Sequence, residues 1–82
     1  MAGKLFGHTI IVTGGGRGFG ENMSKAVAKE GANVVVADLD FDQAERVVET
    51  IRRDESTALA LQADVSNEVE VKQLVETTLE QF

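Results

Sequence analysis

The run Thr13-Gly14-Gly15-Gly16-Arg17-Gly18-Phe19-Gly20 constrains this chain more than any other stretch of it. It follows the β-branched segment Thr9-Ile10-Ile11-Val12 and opens into a segment whose apolar residues recur at helical spacing. A strand that turns directly into a helix leaves the first backbone N–H groups of that helix unpaired and pointing outward. Together with the positive end of the helix dipole, those donors form a site for a phosphate or pyrophosphate. Glycine suits such a turn because a side chain would hold the ligand away from the backbone, and because positive φ is cheap for glycine. These residues therefore predict a nucleotide-binding α/β unit.

Spacing decides which kind. A Walker A loop needs Gly, four residues, Gly, Lys and then Ser or Thr. Gly15 and Gly20 have the gap, but Glu21 stands where the lysine belongs, and a carboxylate there repels a triphosphate. The Gly-x-Gly-x-x-Gly fingerprint fails as well, since counting from Gly14 and Gly16 the third position is Phe19. The pattern that fits is Thr-Gly-x-x-x-Gly-x-Gly, with Thr13, Gly14, Gly18 and Gly20 at the fixed positions. It resembles the loop of the short-chain dehydrogenase/reductase family. The plainer alternative is a glycine-rich turn with no ligand.

The remainder of the chain reads as strand and helix in alternation. The expected elements are a strand over about 8–13, a helix over 18–30 and a strand over 33–38. A helix over 42–53, a strand over 58–63 and a helix from about Asn67 onward complete the series. The continuous run Val34-Val35-Val36-Ala37 predicts a strand buried on both faces. In the first helix Phe19, Met23, Ala26, Val27 and Ala28 are expected near the buried face, with Gly31 ending it. In the second, Ala44, Val47, Val48 and Ile51 form one stripe. In the third, Val71, Leu74, Val75, Leu79 and Phe82 are the expected apolar face, with Ser66 as N-cap. Strands alternating with helices imply parallel pairing through right-handed crossovers. The fold class is thus α/β: a βαβαβα half-unit of Rossmann type in three layers, sheet order 3-2-1, its first two helices on one face and the third on the other.

Eighty-two residues allow one small domain, which buries only about 60% of its unfolded surface. With no cysteine, there is no disulfide framework, thiolate metal site or cysteine nucleophile in these residues, and no cluster has metal-ligand spacing. A net charge of −6 argues against nucleic acid and anionic membrane as partners. No apolar run approaches the roughly 18 residues of a membrane span, and the short Ile10-Ile11-Val12 stretch is not a secretory signal, so a cytoplasmic protein is expected. His8, Glu45, Arg46, Glu49 and Arg52 read as surface charges or polar surface residues.

Asp38 ends the second strand, 18 residues after Gly20. In a Rossmann-type unit that position lies beside the adenosine ribose, where a carboxylate accepts hydrogen bonds from the 2′- and 3′-hydroxyls. The same charge repels the 2′-phosphate of NADP: two unit charges about 4 Å apart at an effective dielectric near 20 cost on the order of 4 kcal/mol. NAD is therefore favoured over NADP. Arg17 dissents, because a base in the glycine loop can pair with a 2′-phosphate; it reads equally as a solvated charge or a pyrophosphate contact. The alternative for Asp38 is a strand-end turn former, a duty shared with Asp40.

The resemblance runs from Lys4-Leu5-Phe6-Gly7 to the third helix. It implies that Asp64-Val65 matches the family's pair at the adenine ring, with Leu39 lining the other side; an Asp in the loop before Ser66 is the alternative. It implies cofactor contacts from Thr13, Gly14, Gly16, Arg17, Gly18, Phe19 and Gly20, with Phe19 in place of the usual isoleucine or leucine. It also implies hydride transfer between a nicotinamide and a small-molecule alcohol or carbonyl in a longer protein. The family's catalytic Ser and Tyr-x-x-x-Lys have no counterpart among these residues, which include no tyrosine, so no residue takes a catalytic role. The expectation is a partial NAD(P)-binding domain over residues 1–82, stopping before a fourth strand. An adenine-nucleotide-binding module without chemistry is the alternative, as is a fragment that self-associates through the open edge of strand one.

Overall fold

The computed structural model describes residues 3–82, and its elements follow the expected order. β1 is Thr9–Thr13, α1 Gly18–Lys29, β2 Asn33–Asp38, α2 Phe41–Arg53, β3 Ala58–Gln62 and α3 Glu68–Gln81. The strands form one parallel sheet in the order β1-β2-β3. Val12 lies opposite Val36, Thr13 opposite Ala37, and Asp38 opposite Gln62, so the carboxyl ends of all three strands lie level.

β2 is central and carries the core. Val34, Val35 and Val36 are wholly buried, as an apolar run covered on both faces must be. Val34 and Val36 pack on one face with Ala28, Ala44, Val47, Val48 and Ile51 from α1 and α2. Val35 and Ala37 pack on the other with Leu74 of α3. β3 divides in the same way, Ala58 and Ala60 joining the α1/α2 core while Leu61 faces the α3 side. The result is three layers, with α1 and α2 together and α3 opposite.

Three local expectations are corrected. The buried residues of α1 are Ser24 and Ala28, whereas Phe19, Met23 and Ala26 are exposed. Small side chains let the helix lie close to the sheet, and the Ser24 hydroxyl is satisfied by donating to the Gly20 carbonyl at 2.9 Å. In α3 the buried residues are Leu74 and Thr78; Val75, Leu79 and Phe82 are exposed. A sheet of three strands is covered by one narrow helical stripe, so the second apolar flank of α3 points away from it. Its N-cap is Asn67 and not Ser66: Asn67 Oδ1 accepts from the N–H groups of Val69 and Glu70 at 3.0 and 3.2 Å, because Ser66 is held by Asp64 instead.

Arg52 is likewise more than a solvated charge, since its Nε donates to the Ala58 carbonyl at 3.0 Å and ties α2 to the start of β3. Among the described residues, no helix is long and apolar enough to cross a membrane.

Candidate functional site

The three strands end at one rim, and the residues read from the sequence as cofactor contacts lie at these strand ends, in the loops that leave them or in the first turn of α1. The β1–α1 loop folds down onto β2. Gly15 N–H donates to the Ala37 carbonyl at 3.2 Å, and Gly16 N–H donates to Asp38 Oδ2 at 3.0 Å. Gly16 must be glycine for steric reasons: a Cβ there would stand 2.9 Å from Asp38 Oδ2, from the Ala44 nitrogen and from Gln43 Cβ. Gly18 starts α1 with φ +55°, a left-handed conformation that side chains resist. Gly20 is the third residue of α1, where a Cβ would collide with the Gly14 carbonyl oxygen.

The helix that leaves this loop is capped differently from the other two. Asp40 caps α2 by accepting from Gln43 N–H at 3.3 Å, and Asn67 caps α3. At α1 the N-cap position is Arg17, whose side chain makes no capping hydrogen bond. The orphan N–H groups of a first turn must find another acceptor, and here they open at the rim beside exposed Thr13, Gly14 and Phe19. An anion placed there meets both the donors and the positive end of the dipole.

Asp38 is the buried charge of the site, with 6% of its surface exposed. Its Oδ1 accepts from Asp40 N–H at 3.0 Å and faces Arg17 Nη2 at 3.8 Å, while Oδ2 holds Gly16. The structure therefore brings Gly16, Arg17 and Asp38 together, and Asp40 with them.

Leu39, Asp64 and Val65 form a second group along the rim. Leu39 is 63% exposed and Val65 56%. The two groups are joined through the end of β3, where Gln62 Nε2 donates to the Leu39 carbonyl at 3.0 Å and Ala63 N–H to the Asp38 carbonyl at 3.1 Å. Asp64, half-buried, accepts from the Ser66 hydroxyl at 2.6 Å and the Ser66 N–H at 2.9 Å, both on Oδ1. Those bonds, the hydroxyl's first, hold its carboxyl below the usual carboxylate range. Its backbone N–H donates to Glu70 Oε1 at 3.2 Å.

Gly15, Asp40, Gln62, Asn67 and Glu70 belong to the framework of this rim, although their site role was not read from the sequence. Gly15 lies within the glycine run itself. Gln62 announces itself only as a polar residue ending an apolar strand.

Comparison with known proteins gives the family of this fold. The family model described as short chain dehydrogenase matches residues 8–82. An uncharacterized oxidoreductase of Methylorubrum extorquens is 44% identical over 80 residues, spanning 96% of this chain and 32% of that protein. A solved 3-ketoacyl-(acyl-carrier-protein) reductase from Brucella melitensis, complexed with NADH, superposes with a TM-score of 0.86 at 44% identity, covering 95% of this chain and 31% of its own. A short chain dehydrogenase/reductase from Burkholderia phymatum in complex with NAD gives a TM-score of 0.90 at 32% identity, covering 94% of this chain and 27% of its own. The chain thus spans about a third of the length of such relatives. Over residues 8–82 the chain belongs to the short-chain dehydrogenase family.

Proposed function

We propose that this chain is the part of an NAD-dependent short-chain dehydrogenase that holds the adenosine and pyrophosphate of the cofactor. The observation that carries the reading is the uncapped start of α1 set beside the buried carboxylate of Asp38. A dinucleotide needs an anion site and a ribose acceptor side by side, and the glycine loop leaves backbone rather than side chains at that junction. In this reading Thr13, Gly14, Gly16, Arg17, Gly18, Phe19 and Gly20 border the pyrophosphate. Asp38 accepts from the ribose hydroxyls, and Leu39, Asp64 and Val65 border the adenine. Asp64 keeps acceptor capacity after both Ser66 bonds, since a carboxylate has about four lone-pair sites.

Bound NAD would supply a nicotinamide that accepts or donates a hydride. The residues of this chain bind and orient the other end of the molecule; the alcohol or carbonyl substrate and the transfer itself belong to a longer protein, for which these residues form part of the cofactor-binding domain. The relatives solved with NAD and NADH support the choice of cofactor for this chain.

β1 has one strand neighbour, and its residues are less covered than those of β2. On that ground we also propose that the isolated chain self-associates along this edge.

The test is calorimetric titration of the 82-residue chain with NAD, ADP and AMP. NAD, ADP and AMP are expected to bind weakly and within a few-fold of one another, because the nicotinamide finds no partner in this chain. No binding of any of them, or a large advantage of NAD over ADP, would overturn the reading.

A further inference from the structure

We propose that Asp38 is a positioning residue for the glycine loop, so that it governs the pyrophosphate subsite as well as the ribose. The inference rests on the nucleotide-binding reading above and goes beyond it. Both oxygens of this buried carboxylate are engaged by backbone within the chain itself: Oδ2 by Gly16 N–H and Oδ1 by Asp40 N–H, each at 3.0 Å. Gly16 lies two residues before the first residue of α1, and Asp40 is the N-cap of α2. One charge therefore ties the loop between β1 and α1 to the start of a second helix.

The tie falls where the loop has least other support. Gly15 is held by the Ala37 carbonyl, but Arg17 offers no side-chain cap and Gly18 has left-handed backbone. Gly16 is also pressed against α2, its missing Cβ leaving 2.9 Å to the Ala44 nitrogen. A charge-assisted hydrogen bond in a buried setting is stronger than a neutral one, and losing it leaves a buried N–H without a partner. Without the carboxylate, Gly16 is free to lift, and the first N–H groups of α1 lose the alignment that an incoming phosphate needs.

The experiment separates this role from direct contact with the ribose. Wild type, Asp38→Ala and Asp38→Asn are titrated with ADP and with 2′,3′-dideoxy-ADP, which offers Asp38 no hydroxyl. In parallel, amide hydrogen exchange and the Gly16 amide proton shift are read without ligand, with Val34, Val35 and Val36 as the check that the sheet is intact. Asp38→Ala is expected to weaken dideoxy-ADP by about tenfold and to lower Gly16 protection by a similar factor. Asp38→Asn, which keeps one acceptor oxygen, recovers part of both. Dideoxy-ADP affinity and Gly16 protection unchanged in Asp38→Ala would overturn the proposal. If wild type binds neither nucleotide, the nucleotide-binding reading falls, and the Gly16 exchange and shift still decide whether Asp38 anchors the loop.

Discussion

The guanidinium of Arg17 lies 3.8 Å from the carboxylate of Asp38, an exposed cation paired with a buried anion at the rim of the site. The residue that argues for NADP and the residue that argues for NAD are thus each other's partner. With 67% of its side chain exposed, Arg17 is screened by water, and the pair is worth far less than a buried one. It still offsets part of the repulsion that Asp38 alone would exert on a 2′-phosphate. Arg17→Ala is expected to shift the ratio of NAD to NADP affinity toward NAD by roughly fivefold. Parallel titrations with the two dinucleotides check this, and an unchanged ratio would place Arg17 outside the ribose subsite.

Asp64 makes acid stability depend on Ser66. Because the Ser66 hydroxyl and N–H lower its carboxyl below the usual range, Asp64 binds protons less readily folded than unfolded. The stability it contributes is complete above the unfolded value of about 3.9 and is lost as pH falls through the lower, folded value. Ser66→Ala removes the first of the two causes. The Asp64 carboxyl should then titrate at higher pH by NMR, and the loss of stability as pH falls below about 4 should become shallower.

The caps of α3 give a sharp contrast between neighbours. Asn67→Ala removes the acceptor for two N–H groups and is expected to destabilise the chain by about 1 kcal/mol in urea denaturation. Ser66→Ala leaves that cap in place and should cost clearly less at pH 7. A loss well under 0.5 kcal/mol in Asn67→Ala would contradict the cap.

α1 and α2 end in related turns built from different residues. After α1, Gly31 takes φ +95°; after α2, Glu55 takes φ +64°. Glu55 N–H donates to the Arg52 carbonyl at 2.9 Å, so the turn demands the left-handed conformation whatever residue occupies it. A side chain with a Cβ resists that conformation by roughly 1–2 kcal/mol. Glu55→Gly should therefore raise stability by about 1 kcal/mol, less the extra unfolded-state freedom of glycine, without altering nucleotide affinity. A lower urea midpoint would contradict this.

Much of this fold was legible because β2 admits a single reading: four consecutive apolar residues, too few for a buried helix and bounded by polar ones. The stripe of α2 was legible for a similar reason, all of Ala44, Val47, Val48 and Ile51 being buried. The face of α1 was not, because periodicity marks apolar residues and the close approach of helix to sheet selects small ones, so Ser24 is buried and Phe19 is not. At the rim, the glycine spacing and Asp38 were legible one by one. The bond between Gly16 and Asp38 and the pair of Arg17 with Asp38 were not. They join residues about twenty positions apart, and only the parallel crossover of α1 brings them together. The cap of α3 is not legible because Ser66 and Asn67 are both good caps by type; Asp64, by taking Ser66 for itself, decides between them.

Glu55, Gly31 and the hollow bounded by Phe6, Asn33 and Thr57 gather at the amino-terminal ends of the strands. The glycine loop and Asp38 stand at the opposite ends, about 17 Å away for strands of this length. A left-handed side chain and an open hollow lie at one pole and the candidate site at the other, so changes at the first need not touch the second. Mutations that firm up the amino-terminal pole can therefore be accumulated as a protective reserve, against which destabilising changes at the opposite pole become tolerable.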